Sequence, residues 1–311
     1  MVNKEKNFIS AVVYVNNDEK NIKEFLEKLR GELSNNFLKY EIICVNDCSI
    51  DNSVEEIKKV TIDDGNSSIT IVNMSFYQGK ELAMNAGVDI AIGDFVYEFD
   101  SAVMDYSEST IMDVYKKSLE GYDIVNASSN KRRHKTSALF YKIFNKFSNN
   151  QYKINTETFR ILSRRAINRI HSMNKTIPYR KAIYANCGLK LDTILYNSVS
   201  TKKEKLDKRA RKEREKNAID SLILFTDISY KFSIIMSVIM MLITVAVAVY
   251  AIYIFFSSNP MEGWTTTMLF LSFGFFGIFA IMAIVIKYLS IIVNLIFKKS
   301  KYIVESIDKI K

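Results

Sequence analysis

From Phe232 to Phe256 no side chain is charged, and a second uncharged run extends from Gly263 to Ile286. No other feature of the sequence restricts the fold as strongly. As a helix rising 1.5 Å per residue, each run is long enough to cross a hydrocarbon core about 30 Å thick. Two such runs joined only by the polar loop SSNPMEG are rare in water-soluble cores, so two transmembrane helices are expected over residues 232–288. Their flanks give the orientation. KKEKLDKRARKEREK, before the first run, holds nine Lys or Arg against four acids, and KKSK follows the second, while the loop between has no base. Basic flanks stay cytoplasmic, which places both termini inside and predicts a multi-pass protein of the cytoplasmic membrane. The early polar residues of MVNKEKNFIS argue against a cleavable signal peptide.

The net charge of +9 raises the question of nucleic acid as a partner. The bases cluster beside the apolar runs, however, where each contributes about 1 kcal/mol of attraction to anionic headgroups. The membrane is therefore the expected partner, and nucleic acid is not. Cys44, Cys48 and Cys187 are odd in number and lack paired metal spacing, which suits a reducing cytosolic compartment. Abundant Lys, Asn and Ile with only two prolines suggest an AT-rich bacterial genome.

Residues 1–200 read as a cytoplasmic α/β domain. Short apolar β-rich runs (FISAVVYVNN, YEIICVND, SITIVNMS, DFVYEFD) alternate with helical patterns, one of which places Ile22, Phe25, Leu26 and Leu29 on a single face. Such alternation implies a mostly parallel, Rossmann-like sheet with ligands beyond the carboxyl ends of its strands. Asn16 and Asn17, Asn46 to Ser49, and Asp100 to Asp105 fall at those ends. Gly79 and Gly87 read equally as ligand contacts or as positions of tight turning and close packing. Phe140, Ile143, Phe144 and Phe147 share a helical face, read either as lying on a membrane surface or as packed on the sheet. Residues 201–231 are expected to form basic juxtamembrane and interfacial helices, and 289–311 a cytoplasmic amphipathic tail. His134 and His171 have no neighbours spaced as a triad or metal site and read as surface residues.

Six segments, VVYVNNDEKNI, VNDCSIDNS, QGKELAMNAGVDIAIGD, FDSAVMDYSE, TFRILSRRAI and KYIVESI, together with the two apolar runs, occur in an order that resembles the family 2 glycosyltransferases acting on polyprenyl phosphate. The resemblance implies a GT-A domain that binds a nucleoside-diphosphate sugar, a divalent Mg²⁺ or Mn²⁺ ion bridging its phosphates, a polyprenyl phosphate acceptor, and cell-envelope glycan synthesis as the setting. It also allows a homo-oligomer. By position, Asn17, Asp18, Asp47, Ser49, Gly79, Lys80 and Asp100 match the donor site, with Asn46 and Cys48 where Asp and Gly are usual. The family's Asp-x-Asp stands here as Asp100-Ser101-Ala102. Since alanine cannot ligate a metal, Glu98, two residues away on the same strand face, or Asp105 is expected to complete the pair with Asp100. Near the acceptor, Thr158 replaces an acid and Glu157 stands one position earlier. Glu157, Arg160 and Arg164 are the expected catalytic or phosphate-holding residues, joined by the basic segment from Lys202. The alternative is a GT-A pseudoenzyme serving as scaffold or regulator of a membrane glycan assembly.

Overall fold

In the computed structural model the described residues are 4–60, 67–130, 135–147, 152–154, 156–173, 179–199, 208–226, parts of 231–246, 263–297 and 302–310. His134 and the start of the basic segment at Lys202 lie outside them, as does most of the first apolar run. Two units are distinguished, residues 1–218 with 300–311, and residues 219–299.

The first unit is an eight-stranded sheet. Its elements run β1 (Ile9–Val15), α1 (Ile22–Asn36), β2 (Tyr40–Asn46), α2 (Ser53–Lys58), β3 (Ser67–Met74), α3 (Lys80–Ile90), β4 (Phe95–Phe99), α4 (Ser109–Leu119) and β5 (Ile124–Ser129). There follow α5 (Lys135–Phe147), β6 (Phe159–Ser163), α6 (Arg164–Met173), α7 (Arg180–Asn186) and β7 (Leu191–Tyr196). After α8 (Lys208–Phe225) and α9 (Trp264–Phe297), the chain returns as β8 (Val304–Ile310). Strand order is β7-β5-β6-β4-β1-β2-β3-β8. β1 pairs parallel with both β2 and β4, so the strand order reverses at β1, and ligands of such sheets bind beyond the carboxyl ends of the strands at that point. The α/β, mostly parallel architecture expected from the sequence is present.

Strand burial explains the apolar runs. β1 and β2 are buried along their whole length because helices cover both faces. α1 seats Ile22, Phe25, Leu26, Leu29 and Leu33 in the core, the face its periodicity predicted. α3 approaches so closely that a Cβ at Gly87 would lie 2.4 Å from Val12 and 2.6 Å from Val45, which decides the packing reading for that glycine. In α5, Phe144 is fully buried and Asn145 exchanges two hydrogen bonds with the backbone of Ile154, so this helix packs on protein at that point.

One expectation is corrected at the edge of the sheet. Within the expected amphipathic tail of 289–311, the last residues form a strand: β8 pairs antiparallel with β3, from Ile310 opposite Ile69 to Val304 opposite Met74. An unpaired edge strand exposes a row of amide and carbonyl groups, and β8 covers it. Tyr302 donates to Asp89, whose other oxygen pairs with His171 at 2.8 Å.

In the second unit α9 is a 34-residue helix with Lys287 its one charged residue, and it contains most of the second apolar run. Phe275, Phe276, Ile278, Met282, Val285, Ile286 and Leu289 are exposed along it, and Lys287 pairs with Asp220 at 2.8 Å. Over the described residues alone, no helix is long and apolar enough to cross a membrane; many α9 side chains fall outside that description.

Candidate active site

The carboxyl edge of the sheet gathers the donor-site residues in two groups. In the first, the loops after β1 and β2 are laced together through backbone groups. The Asn17 amide donates to Ser49 Oγ (3.1 Å), Asn17 Oδ1 accepts from the Ile50 amide (2.9 Å), and the Asp18 amide donates to Ser53 Oγ (2.8 Å). Asn17 and Cys48 both have φ of 56°. This left-handed conformation explains why glycine is usual at position 48. Asn46 receives the Ser49 amide on Oδ1 and donates to Asn73, which in turn donates to Ser306 and Asp308 of β8.

Asp47 is central to this group, but as a fastener. It is fully buried, and its carboxylate accepts the amides of Gln78 (2.8 Å) and Gly79 (2.9 Å) and the Tyr14 hydroxyl (3.1 Å). Those bonds set the turn in which Gly79, at φ 89°, opens α3 and presents Lys80. Gln78 is held from the other side, where its side-chain amide exchanges hydrogen bonds with both backbone groups of Ile303, just before β8. Asp47, expected at the donor site, is thus buried and sets the turn that presents Lys80.

The second group surrounds the end of β4 and is made of side-chain charge. Glu98 and Arg160 are register partners on β4 and β6. Arg160 Nη1 donates to Glu98 (2.9 Å), and its Nη2 donates to Asp100 (3.1 Å) and lies 3.3 Å from Glu157. Arg180, at the start of α7, donates to Asp100 (2.8 Å) and to Glu81 (3.1 Å). Its Nη1 lies 2.9 Å from Glu98 without the alignment of a hydrogen bond. Tyr184 donates to the other oxygen of Glu98 (2.7 Å). Lys80 reaches the Asp100 carbonyl at 3.4 Å, and Lys181 stands 3.9 Å from Glu157. Glu98, Arg160 and Arg180 are almost wholly excluded from solvent.

Burial would push the Asp100 carboxyl up, but Arg160, Arg180, Lys80 and Lys181 outweigh it and hold the group well below the usual carboxylate range. Arg160 and Arg180 are held the other way: burial disfavours their charge, and the surrounding carboxylates more than restore it. Burial and Glu98 raise Tyr184 well above the ordinary phenol range, so it stays a donor.

The structure thus brings together Glu98, Asp100, Glu157, Arg160 and Lys80, and adds four residues that the sequence did not disclose, Glu81, Arg180, Lys181 and Tyr184. It corrects two assignments. Asp105 does not complete a metal pair but accepts from the Tyr196 hydroxyl (2.8 Å), which also contacts Thr158. Arg164 lies at the opposite edge, donating to the carbonyls of Gly93 (3.0 Å) and Ala91 (2.8 Å). The reason is strand direction: β6 runs antiparallel to β4, so four residues beyond Arg160, roughly 13 Å at 3.3 Å per residue, the chain has reached the amino end of β4.

A divalent cation does not fit these residues. Ala102 is buried in the core cluster, Glu98 is enclosed by two guanidiniums and a phenol, and both oxygens of Asp100 are engaged. Among the described residues no group of three or more His, Cys, Asp or Glu is placed to hold a metal. Freeing Asp100 and Glu98 would strand buried guanidiniums, at a cost of roughly 3–5 kcal/mol for a broken buried pair.

The profile described as Glycosyl transferase family 2 matches residues 10–172, just over half of the chain. The chain belongs to this family. It is 31% identical over 195 residues to an uncharacterized glycosyltransferase of Synechocystis, a match covering 61% of this chain and 60% of the other. It is 32% identical over 196 residues to a prophage bactoprenol glucosyl transferase homolog of Escherichia coli, covering 60% and 62%. The chain thus spans about 60% of the length of these relatives. Among solved structures, mannosyl-3-phosphoglycerate synthase of Rubrobacter xylanophilus has a TM-score of 0.54 at 14% identity, covering 70% of this chain and 74% of the other. A mannosyltransferase of Pyrobaculum calidifontis in complex with GDP-Man and Mn²⁺ has a TM-score of 0.51 at 15% identity, covering 70% and 63%. Both likenesses establish the GT-A fold. The relatives are named as transferases, and nothing in them supports a non-catalytic scaffold.

Proposed function

We propose that the family 2 glycosyltransferase described here moves a sugar from a nucleoside-diphosphate sugar to polyprenyl phosphate at the cytoplasmic face of a bacterial membrane. The observation that carries the reading is the meeting of the β1, β2 and β4 ends with the start of α3 at one edge of the sheet, where Asp47 fixes the Gly79 turn and Lys80 reaches the Asp100 carbonyl, in a chain of this family. The relatives named as bactoprenol glucosyl transferases supply the acceptor class. The apolar run within α9, with its exposed side chains, supports the membrane location.

In this reading the bond between the sugar's anomeric carbon and the diphosphate breaks, its electrons leaving with the nucleoside diphosphate. A bond forms from that carbon to an oxygen of the lipid phosphate. The acceptor is already an anion, so no general base is required of the protein. What is required is cationic donors near two phosphate groups, and the cluster at Asp100 contains Arg160, Arg180, Lys80 and Lys181, set among the carboxylates Glu81, Glu98, Asp100 and Glu157.

Full-length protein, purified in detergent, is incubated with radiolabelled UDP- and GDP-sugars and vesicles containing undecaprenyl phosphate. Label appearing in the organic-extractable lipid is the expected result. Absence of lipid-linked label with every donor, from protein shown to be folded, would refute the reading.

A further inference from the structure

The residues around Asp100 have the charge balance of a metal site without its ligands, and from this we infer that the chain binds its donor diphosphate with side-chain cations, independently of any divalent ion. The inference deepens the transferase reading above and rests on it. Glu98 and Asp100 bring two negative charges, which a divalent ion would balance; here Arg160 and Arg180 balance them instead, through contacts of 2.8–3.1 Å. A metal ion arriving at Asp100 would meet two guanidiniums already in place, and like charges repel most strongly where water is excluded. The position where a second ligand would stand is Ala102, with no donor atom and almost no exposure.

The cations left to meet a ligand are those at the rim. Lys80 is half-buried and Lys181 keeps 11 % of its side chain exposed, and their contacts are long, 3.4 Å to a carbonyl and 3.9 Å to a carboxylate. An ammonium on a four-carbon stem swings readily to a phosphate oxygen and bonds it as a charged donor. Arg160 and Arg180 act differently. They are buried and ion-paired, each with one nitrogen lacking a hydrogen-bond partner, and they hold Asp100 ionised, so that its charge is met by them and does not repel the diphosphate. Lys80 and Lys181 are binding residues in this scheme, and Arg160, Arg180 and Glu98 are positioning residues.

The test is calorimetric titration of the full-length protein in detergent with UDP and with GDP, each in EDTA and in Mn²⁺, with Mn²⁺ alone followed by electron paramagnetic resonance. One nucleotide is expected to bind equally well in EDTA, and Mn²⁺ alone to show no specific site. Lys80→Ala and Lys181→Ala should each weaken that nucleotide about tenfold, the loss of one charged hydrogen bond, in protein that remains folded by circular dichroism. Nucleotide binding that requires Mn²⁺, or that survives both lysine variants at full strength, overturns the inference while leaving the transferase reading intact. Failure of both nucleotides to bind folded protein under either condition, with no sugar transfer, overturns the transferase reading itself.

Discussion

The two groups at the carboxyl edge of the sheet are built by different means. At the ends of β1 and β2 the loops are fixed by backbone amides bonded to short side chains, about thirty residues apart in sequence. At the end of β4 the structure depends on long charged side chains from distant segments, 62 residues apart for Glu98 and Arg160 and 80 for Asp100 and Arg180. Backbone geometry restricts which residues can occupy a turn, so the first group is spelled out in a short motif. A charge network constrains only the sum of its members, so its parts can be exchanged between segments without leaving a local signature.

The largest effect should come from breaking the network. Arg160→Ala removes the partner shared by Glu98, Asp100 and Glu157, and leaves Glu98 with Arg180 as its one cation, beside the Tyr184 hydroxyl, in a dry interior. A loss of roughly 3–5 kcal/mol is expected in denaturant unfolding followed by circular dichroism. The double variant Arg160→Met with Glu98→Gln should recover a large part of it, because both charges then go together. A loss below about 1 kcal/mol for Arg160→Ala, the scale of an exposed ion pair, would show that the network is not a buried one.

Next in size is an uncharged perturbation of the scaffold under the first group. Gly87→Val forces side-chain atoms into Val12 and Val45 on β1 and β2, and overpacking of this kind costs roughly 1–3 kcal/mol. The same unfolding assay reads it. The effect should be independent of pH, which separates it from the network variants.

The network should respond to acid. The folded-state pKa of Asp100 is depressed, so its contribution to stability is complete above the unfolded value of about 4 and is lost as pH falls below that toward the folded value. Asp123 adds in the same direction: burial raises it, but hydrogen bonds from Arg165 and Ser163 outweigh that and lower it. Stability measured from neutral pH down to about 3 should therefore fall on the acid side, and Asp100→Asn should be less stable at neutral pH yet flatten that fall. An unchanged acid slope in the variant would mean that Asp100 is not held by its arginines.

How far the sequence could be read follows the same division. The order of strands and helices from β1 to β4 was plain, because buried parallel strands and amphipathic helices have distinct periods. The glycine-favouring conformation at Cys48 and the close approach at Gly87 were visible as motif positions. Arg180 was not, because PYRKAIY carries a base in an ordinary helical pattern and nothing local marks it as buried. β8 was missed for a related reason: VESIDKI alternates with charged residues, as an edge strand does, and only the exposed edge of β3 makes it a strand. Glu98 was singled out as the partner of Asp100 on one strand face, and the structure joins the two through Arg160 and Arg180.

The smallest expected effect separates the two ends of β6. Arg160 and Arg164 look alike in FRILSRR, but only Arg160 reaches Asp100. Arg164 is partly buried and ties down two carbonyls between α3 and β4. Arg164→Ala should lose about 1 kcal/mol, the net worth of an ordinary hydrogen bond or two, since water can replace a donor at an accessible carbonyl. Donor nucleotide affinity should not change, because the substitution lies a full strand length from Asp100. A tenfold weaker nucleotide affinity in a folded Arg164→Ala protein would place this arginine functionally with Arg160, and would imply that the amino end of β4 communicates with the site through the strand. Equal affinity would confine the phosphate-facing chemistry of this segment to its first residues, where antiparallel pairing sets Arg160 opposite Glu98.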